Sequence, residues 1–355
     1  MKFIHIADVH LGAVPDSNMP WAKSREKEIW SSFAHIITVC NEEKVDFLFI
    51  AGDLFHRQAL VRELKEVNYL FSKLETTQVV LMAGNHDFIG NRSNYVGFEW
   101  VERVHMFLSD QIEVASFPEL KTEVYGFSYH TRDIVEARYD NLKSEGKDNI
   151  QILLAHGGDE KDIPINRRKL QDSVFDYIAL GHLHKPEIIS NKMAYPGSFE
   201  PLDKNETGER GYIVGEITVG DNGKKTTQIR FVSNAVREYK RRNIAVDQTT
   251  TNGSLQDLVR DLIKSEGAQH IYSFCITGVR DEIIHFDKEA VKTCGNVLEV
   301  EDQSVPDYDF DLLHRENADN IIGLFIQRIR ENPNRDEIEK KALYYGIEAL
   351  LGAKV

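Results

Sequence analysis

Val79-Val80-Leu81-Met82-Ala83-Gly84-Asn85-His86-Asp87 decides how this chain folds. Five apolar residues in a row, stopped by glycine, read as a strand buried on both faces. An amide, an imidazole and a carboxylate follow at once, and a bland turn does not need all three. Four other segments share this construction. Asp8-Val9-His10 follows Phe3-Ile4-His5-Ile6-Ala7, and Gly52-Asp53 follows Phe47-Leu48-Phe49-Ile50-Ala51. Ala155-His156 ends the run Ile152-Leu153-Leu154, and Gly181-His182-Leu183-His184 follows Tyr177-Ile178-Ala179-Leu180. Helical patterns lie between them, at about 24–43 and 60–76. This alternation predicts an α/β sheet whose ligands gather at the carboxyl ends of its strands. Segments far apart in sequence then converge on one rim.

The side chains at these strand ends are metal ligands without a thiolate among them. Oxygen and imidazole donors suit Mn²⁺, Fe²⁺ or Mg²⁺-like ions, or a mixed zinc site, rather than a structural cysteine-zinc site. Seven candidates, Asp8, His10, Asp53, Asn85, His156, His182 and His184, exceed what one octahedral ion with open positions needs. Two ions sharing a bridging carboxylate fit better. Two metals roughly 3.5–4 Å apart are the usual machinery for in-line attack on phosphorus. In Gly-His-x-His at an extended strand end, residues two apart point the same way. Histidine usage agrees: ten of the 13 fall in the first 184 residues, and six of those sit in or beside the segments.

The ordered set D-x-H, G-D, G-N-H-D, H and G-H-x-H resembles the calcineurin-like metallophosphoesterase superfamily. The second segment continues as Gly52-Asp53-Leu54-Phe55-His56-Arg57, and the fifth is followed by Tyr195-Pro196-Gly197-Ser198 and Glu209-Arg210-Gly211-Tyr212. These look like the DNA-repair exonuclease branch, the nuclease subunit of SbcCD-type complexes. The resemblance implies a β-sandwich flanked by helices, four layers deep (α/β/β/α), over residues 1–236. It implies that Asp8, His10, Asp53 and His184 hold one ion. Asp53, Asn85, His156 and His182 would hold the other, with Asp53 bridging. His86 would serve the phosphate as proton donor or charge stabiliser, oriented by Asp87. His56 would position the strand; its plain alternative is a histidine near a helix start. The implied activity is Mn²⁺-dependent 3′→5′ exonuclease cutting of DNA, with some endonuclease activity, in double-strand-break repair and recombination. The implied partners are DNA, an SbcC-like coiled-coil ATPase and a second copy of the chain.

Composition sets wider bounds. With 355 residues, 41% of them hydrophobic, the chain can bury more than one core. No run reaches the roughly 18 apolar residues of a membrane span. A strand-like run two residues after Met1 leaves no room for a signal peptide. Cys40, Cys275 and Cys294 read as reduced, buried thiols of a cytoplasmic protein. A net charge of −14 is unusual for a DNA-binding chain. Basic clusters at Arg167-Arg168-Lys169, Arg237 and Lys240-Arg241-Arg242 offset it locally or are ordinary solvated surface. Weak, salt-sensitive DNA binding is expected of the chain alone.

Residues 187–235 read as short strands with a hairpin turn at Gly220-Asp221-Asn222-Gly223. A boundary is expected near Arg237–Arg242. A strand at Asn243–Asp247, a helix over about 255–266 capped by Ser254, and a strand over Ile271–Gly278 follow. This β-α-β pattern resembles the family's small α+β capping domain, residues 237–312. An acidic linker at 299–311 precedes two apolar helices, about 317–331 and 335–351, broken at Asn332-Pro333-Asn334. These form the C-terminal segment, residues 313–355, which either packs on the cap or binds the ATPase.

Two other functions compete. A phosphatase or small-nucleotide phosphodiesterase of the same superfamily is one. Protein phosphatases of this type carry G-D-x-x-D-R-G and G-N-H-E, unlike Gly52–Arg57 and Asp87 here. A non-catalytic scaffold is the other, disfavoured because no ligand position is substituted.

Overall fold

The computed structural model describes residues 1–143, 148–330 and 337–352. The chain divides into two units, Met1–Tyr239 and Lys240–Val355. The first runs β1 (Lys2–Ile6), α1 (Ala22–Glu43), β2 (Phe47–Ala51), α2 (Val61–Phe71), β3 (Gln78–Met82) and β4 (Val104–Met106). It continues through β5 (Glu113–Phe117), β6 (Thr122–Gly126), β7 (Ile150–His156), α3 (Arg167–Gln171) and β8 (Tyr177–Gly181). β9 (Glu187–Ser190), β10 (Met193–Tyr195), β11 (Gly211–Val219) and β12 (Lys225–Ser233) complete it.

These strands make two sheets, as the family resemblance implied. The first has the order β12-β11-β1-β2-β3-β4 and the second β5-β6-β7-β8-β10-β9. Strands β1 to β4 are parallel to one another, as are β6, β7, β8 and β10. Both faces of each central strand are apolar, and alternate residues enter different cores. Phe47, Phe49, Val80 and Met82 meet Val124, Ile152, Leu154 and Ala179 between the sheets. Leu48, Ile50, Val79 and Leu81 turn the other way, onto Ile29, Phe33 and Ile36 of α1 and Leu64 and Val67 of α2. On the far side, Leu153, Ile178 and Leu180 are covered by Leu170 of α3 and by Phe127, Tyr129 and Tyr139. The α/β/β/α order therefore holds, with a thinner outer layer of one short helix and loop on the second sheet.

Helix α2 stops at Phe71, short of the expected 76. The turn after it places Thr77, whose hydroxyl donates to the Val45 carbonyl at 2.8 Å. Helix α1 is held to the chain beyond β10 by Arg25, fully buried, which donates to Glu28 and to the Pro201 carbonyl, both at 2.7 Å.

All but the first residue of β13 (Tyr239–Val246) belongs to the second unit, which continues with α4 (Asn252–Glu266), β14 (Ile271–Arg280), α5 (Lys288–Lys292), β15 (Val297–Asp302) and β16 (Val305–Pro306). It ends with α6 (Phe310–Glu316), α7 (Ile321–Arg330) and α8 (Glu337–Gly352). The cap of α4 is Thr251, not Ser254. Thr251 Oγ1 accepts from the Ser254 N–H at 3.2 Å while Ser254 Oγ accepts from the Thr251 N–H at 2.9 Å, a reciprocal capping box. The expected linker at 299–311 is largely ordered as the end of β15, as β16 beside β14, and as the start of α6. Helix α6 went unread because Asp309, which caps it, sits in an acidic stretch that resembles a loop. The expected break at Asn332–Asn334 lies outside the described residues. Cys40 is buried, whereas Cys275 and Cys294 are only half-buried, and all three are free thiols.

Helices α7 and α8 bury Ile322, Ile326, Leu343 and Ile347 together, with Tyr308 and Phe310 packed against them. Ile321, Leu324, Ile338 and Tyr345 stay exposed. Ile347→Ala should therefore destabilise the second unit by about 2–5 kcal/mol, the usual cost of emptying a filled aliphatic site. Urea unfolding measures this; a change below about 1 kcal/mol would mean that the two helices do not pack as described.

Candidate metal centre

Asp8 and His10 follow β1, Asp53 follows β2, and Asn85, His86 and Asp87 follow β3. His156 closes β7, and His182 and His184 follow β8. The single rim expected of one sheet is thus the shared edge of two. Glycines let the strand ends approach. A Cβ at Gly52 would strike the His156 ring, and one at Gly84 would strike Asp53 Oδ1. Asp8, His10, Asp53 and His182 have φ of 50°, 53°, 51° and 96°. Non-glycine residues rarely adopt positive φ, at a cost of roughly 1–3 kcal/mol each, and such strain collects at functional sites.

Six of the seven candidates meet directly. His10 Nε2 lies 3.1 Å from His184 Nε2, and His156 Nε2 lies 3.0 Å from Asn85 Oδ1. Asp53 Oδ2 stands between the two pairs, 3.8 Å from His10 Nε2 and 3.6 Å from His156 Nε2. Both Asp8 oxygens accept from the His182 N–H, at 3.1 and 3.0 Å. Ligating atoms of Asp8, His10 and His184 lie within 4.8 Å of one another, as do those of Asp8, Asp53 and His156. The His182 ring lies beside His156, but its Nε2 turns outward to Asp159 Oδ2 at 3.0 Å. Only Nδ1 remains for the site.

These atoms fit a pair of cations. Asp8 and Asp53 are buried, and among the described residues no lysine or arginine pairs with either. A buried carboxylate without a cation is costly. His156 makes the same point. Its Nδ1 donates to the Ala51 carbonyl at 2.8 Å, so its Nε2 in the neutral ring is a bare lone pair facing the Asn85 oxygen. Two acceptors 3.0 Å apart call for a positive charge beside them.

Burial and charge shift these groups in opposite senses. Burial drives His156 down to about 4 despite Asp53, and it drives His10 well below its ordinary value with help from the surrounding imidazoles. Asp8 is pushed up to about 7, first by burial and then by Asp53, against the pull of His184. His184 is raised to about 9: burial opposes its charge, but Glu206, Asp8 and Asp53 outweigh it. A ligand must be deprotonated, so cation uptake displaces these protons. Mn²⁺ affinity of the metal-free protein should therefore rise between pH 6 and about 9, with proton release largest at the low end. Calorimetry in buffers of different ionisation enthalpy measures it; affinity flat across that range would contradict these shifts.

His86 and His56 flank the cluster. Their rings stack at 5.2 Å between centroids, and both stand edge-on to His10. The His86 N–H donates to Asp53 Oδ1 at 2.9 Å and its Nδ1 to the His56 carbonyl at 3.1 Å. Asp87 does not orient His86, and that expectation is corrected. The Asp87 carboxylate, fully buried, accepts from the Gly84 N–H at 2.8 Å, the Phe55 N–H at 3.1 Å and the Tyr95 hydroxyl at 2.7 Å. It braces the loops that carry Asp53 and Asn85; the His56 backbone holds the His86 ring instead.

Four residues near the site escaped the sequence reading: Tyr95, Asp159, Asp162 and Glu206. None follows an apolar strand directly, the one signal that marked the others. Only Asp159, three residues beyond His156, lay close enough to be found.

A helix-covered double sheet with carboxylates, imidazoles and one amide at its shared strand ends defines a metal-dependent phosphoesterase site. Residues 1–186 match the calcineurin-like phosphoesterase family, and the chain belongs to it. It is 32% identical over 243 residues to the "uncharacterized metallophosphoesterase YhaO" of Bacillus subtilis, covering 62% of this chain and 58% of that one. It is 30% identical over 274 residues to the DNA double-strand break repair protein Mre11 of Methanocaldococcus jannaschii, covering 70% and 73%. The D component of the nuclease SbcCD of Staphylococcus epidermidis is 24% identical over 317 residues, 79% of each chain. Against YhaO and two further archaeal Mre11 proteins, the chain spans 58%, 55% and 56% of the relative's length.

Proposed function

We propose that this chain is a two-metal DNA phosphodiesterase, a 3′→5′ exonuclease with some endonuclease activity in double-strand-break repair. One observation carries the metal part: Asp53 Oδ2 lies between the His10–His184 pair and the His156–Asn85 pair. Asp8, His10, Asp53 and His184 would hold one ion, and Asp53, Asn85, His156 and His182 the other. Two such ions, Mn²⁺ by preference, would neutralise phosphoryl oxygens and bring a water's pKa toward neutrality.

The chain's own residues supply the rest. His86 commits Nδ1–H to the His56 carbonyl, which leaves Nε2 to hold a proton for the departing 3′ oxygen. His56, stacked on His86, would position the strand. The DNA part rests on the relatives named for break repair and for SbcCD. By the same likeness, an SbcC-like ATPase and a second copy of the chain would assemble with it in the cytoplasm. Among the described residues no helix is long and apolar enough to cross a membrane.

Surface charge supports dependence on a partner for DNA affinity. Arg237 is committed to Glu28 at 2.7 Å, and Arg242 to Glu266 at 2.7 Å. Arg167 forms a two-pronged pair with Glu187 at 2.7 and 2.9 Å. Binding of DNA by the chain alone should be weak and should fall steeply as salt rises from 50 to 200 mM, on the order of 10-fold or more for a few phosphate contacts. Fluorescence anisotropy with a labelled duplex checks this; nanomolar, salt-insensitive binding would contradict it. Activity on labelled duplex DNA, a phosphopeptide and a cyclic nucleotide, each with Mn²⁺ and with chelator, separates the nuclease from its rivals.

A further inference from the structure

Two sequence features after β8 have no place in the ligand set: Tyr195-Pro196-Gly197-Ser198 and Glu209-Arg210-Gly211-Tyr212. Both converge on Glu206, in the connection between β10 and β11. Glu206 Oε1 lies 2.6 Å from His184 Nδ1. Its Oε2 accepts from the Ser198 hydroxyl at 2.7 Å and the Leu202 N–H at 3.0 Å, with Arg210 Nε 3.8 Å away. The Glu206 side chain is 13% exposed and that of Arg210 5%. The Ser198 N–H also donates to the His184 carbonyl at 2.9 Å, so one turn grips both residues. Gly197, at φ 80°, makes that turn possible, because a Cβ there would press on the His184 carbonyl.

We propose that Glu206 is a positioning residue, fixing the tautomer and aim of His184 for the ion also held by Asp8, His10 and Asp53. In the neutral ring that a metal requires, Nδ1–H donated to the carboxylate leaves the lone pair of His184 on Nε2, the nitrogen 3.1 Å from His10 Nε2. A carboxylate behind a ligand imidazole also raises its basicity. The contrast with His182 sets the scale: its outer carboxylate, Asp159, is 50% exposed and screened by water. This role rests on the metal centre proposed above.

Glu206→Gln is the test. The glutamine oxygen can still accept from Ser198 and Leu202, but its amide then donates to His184 Nδ1. That drives the ring proton onto Nε2 and blocks ligation. In the full-length protein, Mn²⁺ titration by calorimetry should show one of two sites weakened about 10- to 100-fold and the other kept. Long-range ¹⁵N–¹H spectra of the metal-free protein, taken at about pH 10 where the His184 ring is neutral in the wild-type protein, should show its proton moved from Nδ1 to Nε2, with the resonance assigned by its loss in His184→Ala. A merely structural role would lower the melting temperature without either change. Two ions bound at wild-type affinity by Glu206→Gln, or an unchanged His184 tautomer, would overturn the positioning role while leaving the metal centre standing. Wild-type protein that takes up fewer than two ions would contradict the metal centre and this role with it.

Discussion

Asp53→Asn should strip both ions from the site and lower phosphodiester hydrolysis by on the order of 10³-fold or more, the scale of losing several kcal/mol of metal assistance. Asp53 is 1% exposed, and one of its oxygens faces imidazoles from both ligand groups. The substitution isolates charge. Asparagine tolerates the φ of 51° that Asp53 adopts, and its carbonyl can still accept from the His86 N–H. What is lost is the shared negative charge, with an amide N–H₂ put in its place. Elemental analysis after controlled reconstitution reads the outcome. His184→Ala, by comparison, should weaken one ion chiefly. Two ions retained by Asp53→Asn would remove the bridging role.

His86→Ala should lower kcat by on the order of 10²–10⁴-fold, the span of a lost general acid, with both ions and DNA affinity retained. The geometry separates this residue from the ligands. Its Nδ1 is taken by the His56 carbonyl and its backbone N–H by Asp53, while the ring remains partly open to solvent. The backbone bond survives substitution, so Asp53 keeps its place. Rate, metal content and binding measured on one preparation decide it. Loss of metal with near-normal turnover after reloading would contradict the role given to His86.

The strands were legible because each central one is apolar on both faces, and each ends in a polar residue where the sheet meets solvent. Phe47–Ala51 and Val79–Ala83 announce themselves in this way. What the pattern could not say was how many sheets those strands form. Apolarity on both faces fits a helix-covered sheet and a sheet packed on another sheet alike; the two-sheet sandwich was implied only by the family resemblance of the ligand motifs. Asp87 shows a second limit. Its neighbour in sequence is His86, yet its carboxylate points at Gly84, Phe55 and Tyr95, because a tight turn aims adjacent side chains in different directions. Glu206 shows a third. It acts 22 residues beyond His184, past β9 and β10 and in the loop that follows them, so no spacing rule reaches it.

The claim that this centre cuts DNA is tested most directly by one assay. Mn²⁺-loaded protein is incubated with duplex DNA labelled at one 5′ end, alongside the same protein treated with chelator and the Asp53→Asn variant. Stepwise shortening from the 3′ end by the loaded wild-type protein alone is the predicted result. Intact DNA under those conditions, with ready hydrolysis of a phosphopeptide or a cyclic nucleotide, would contradict it.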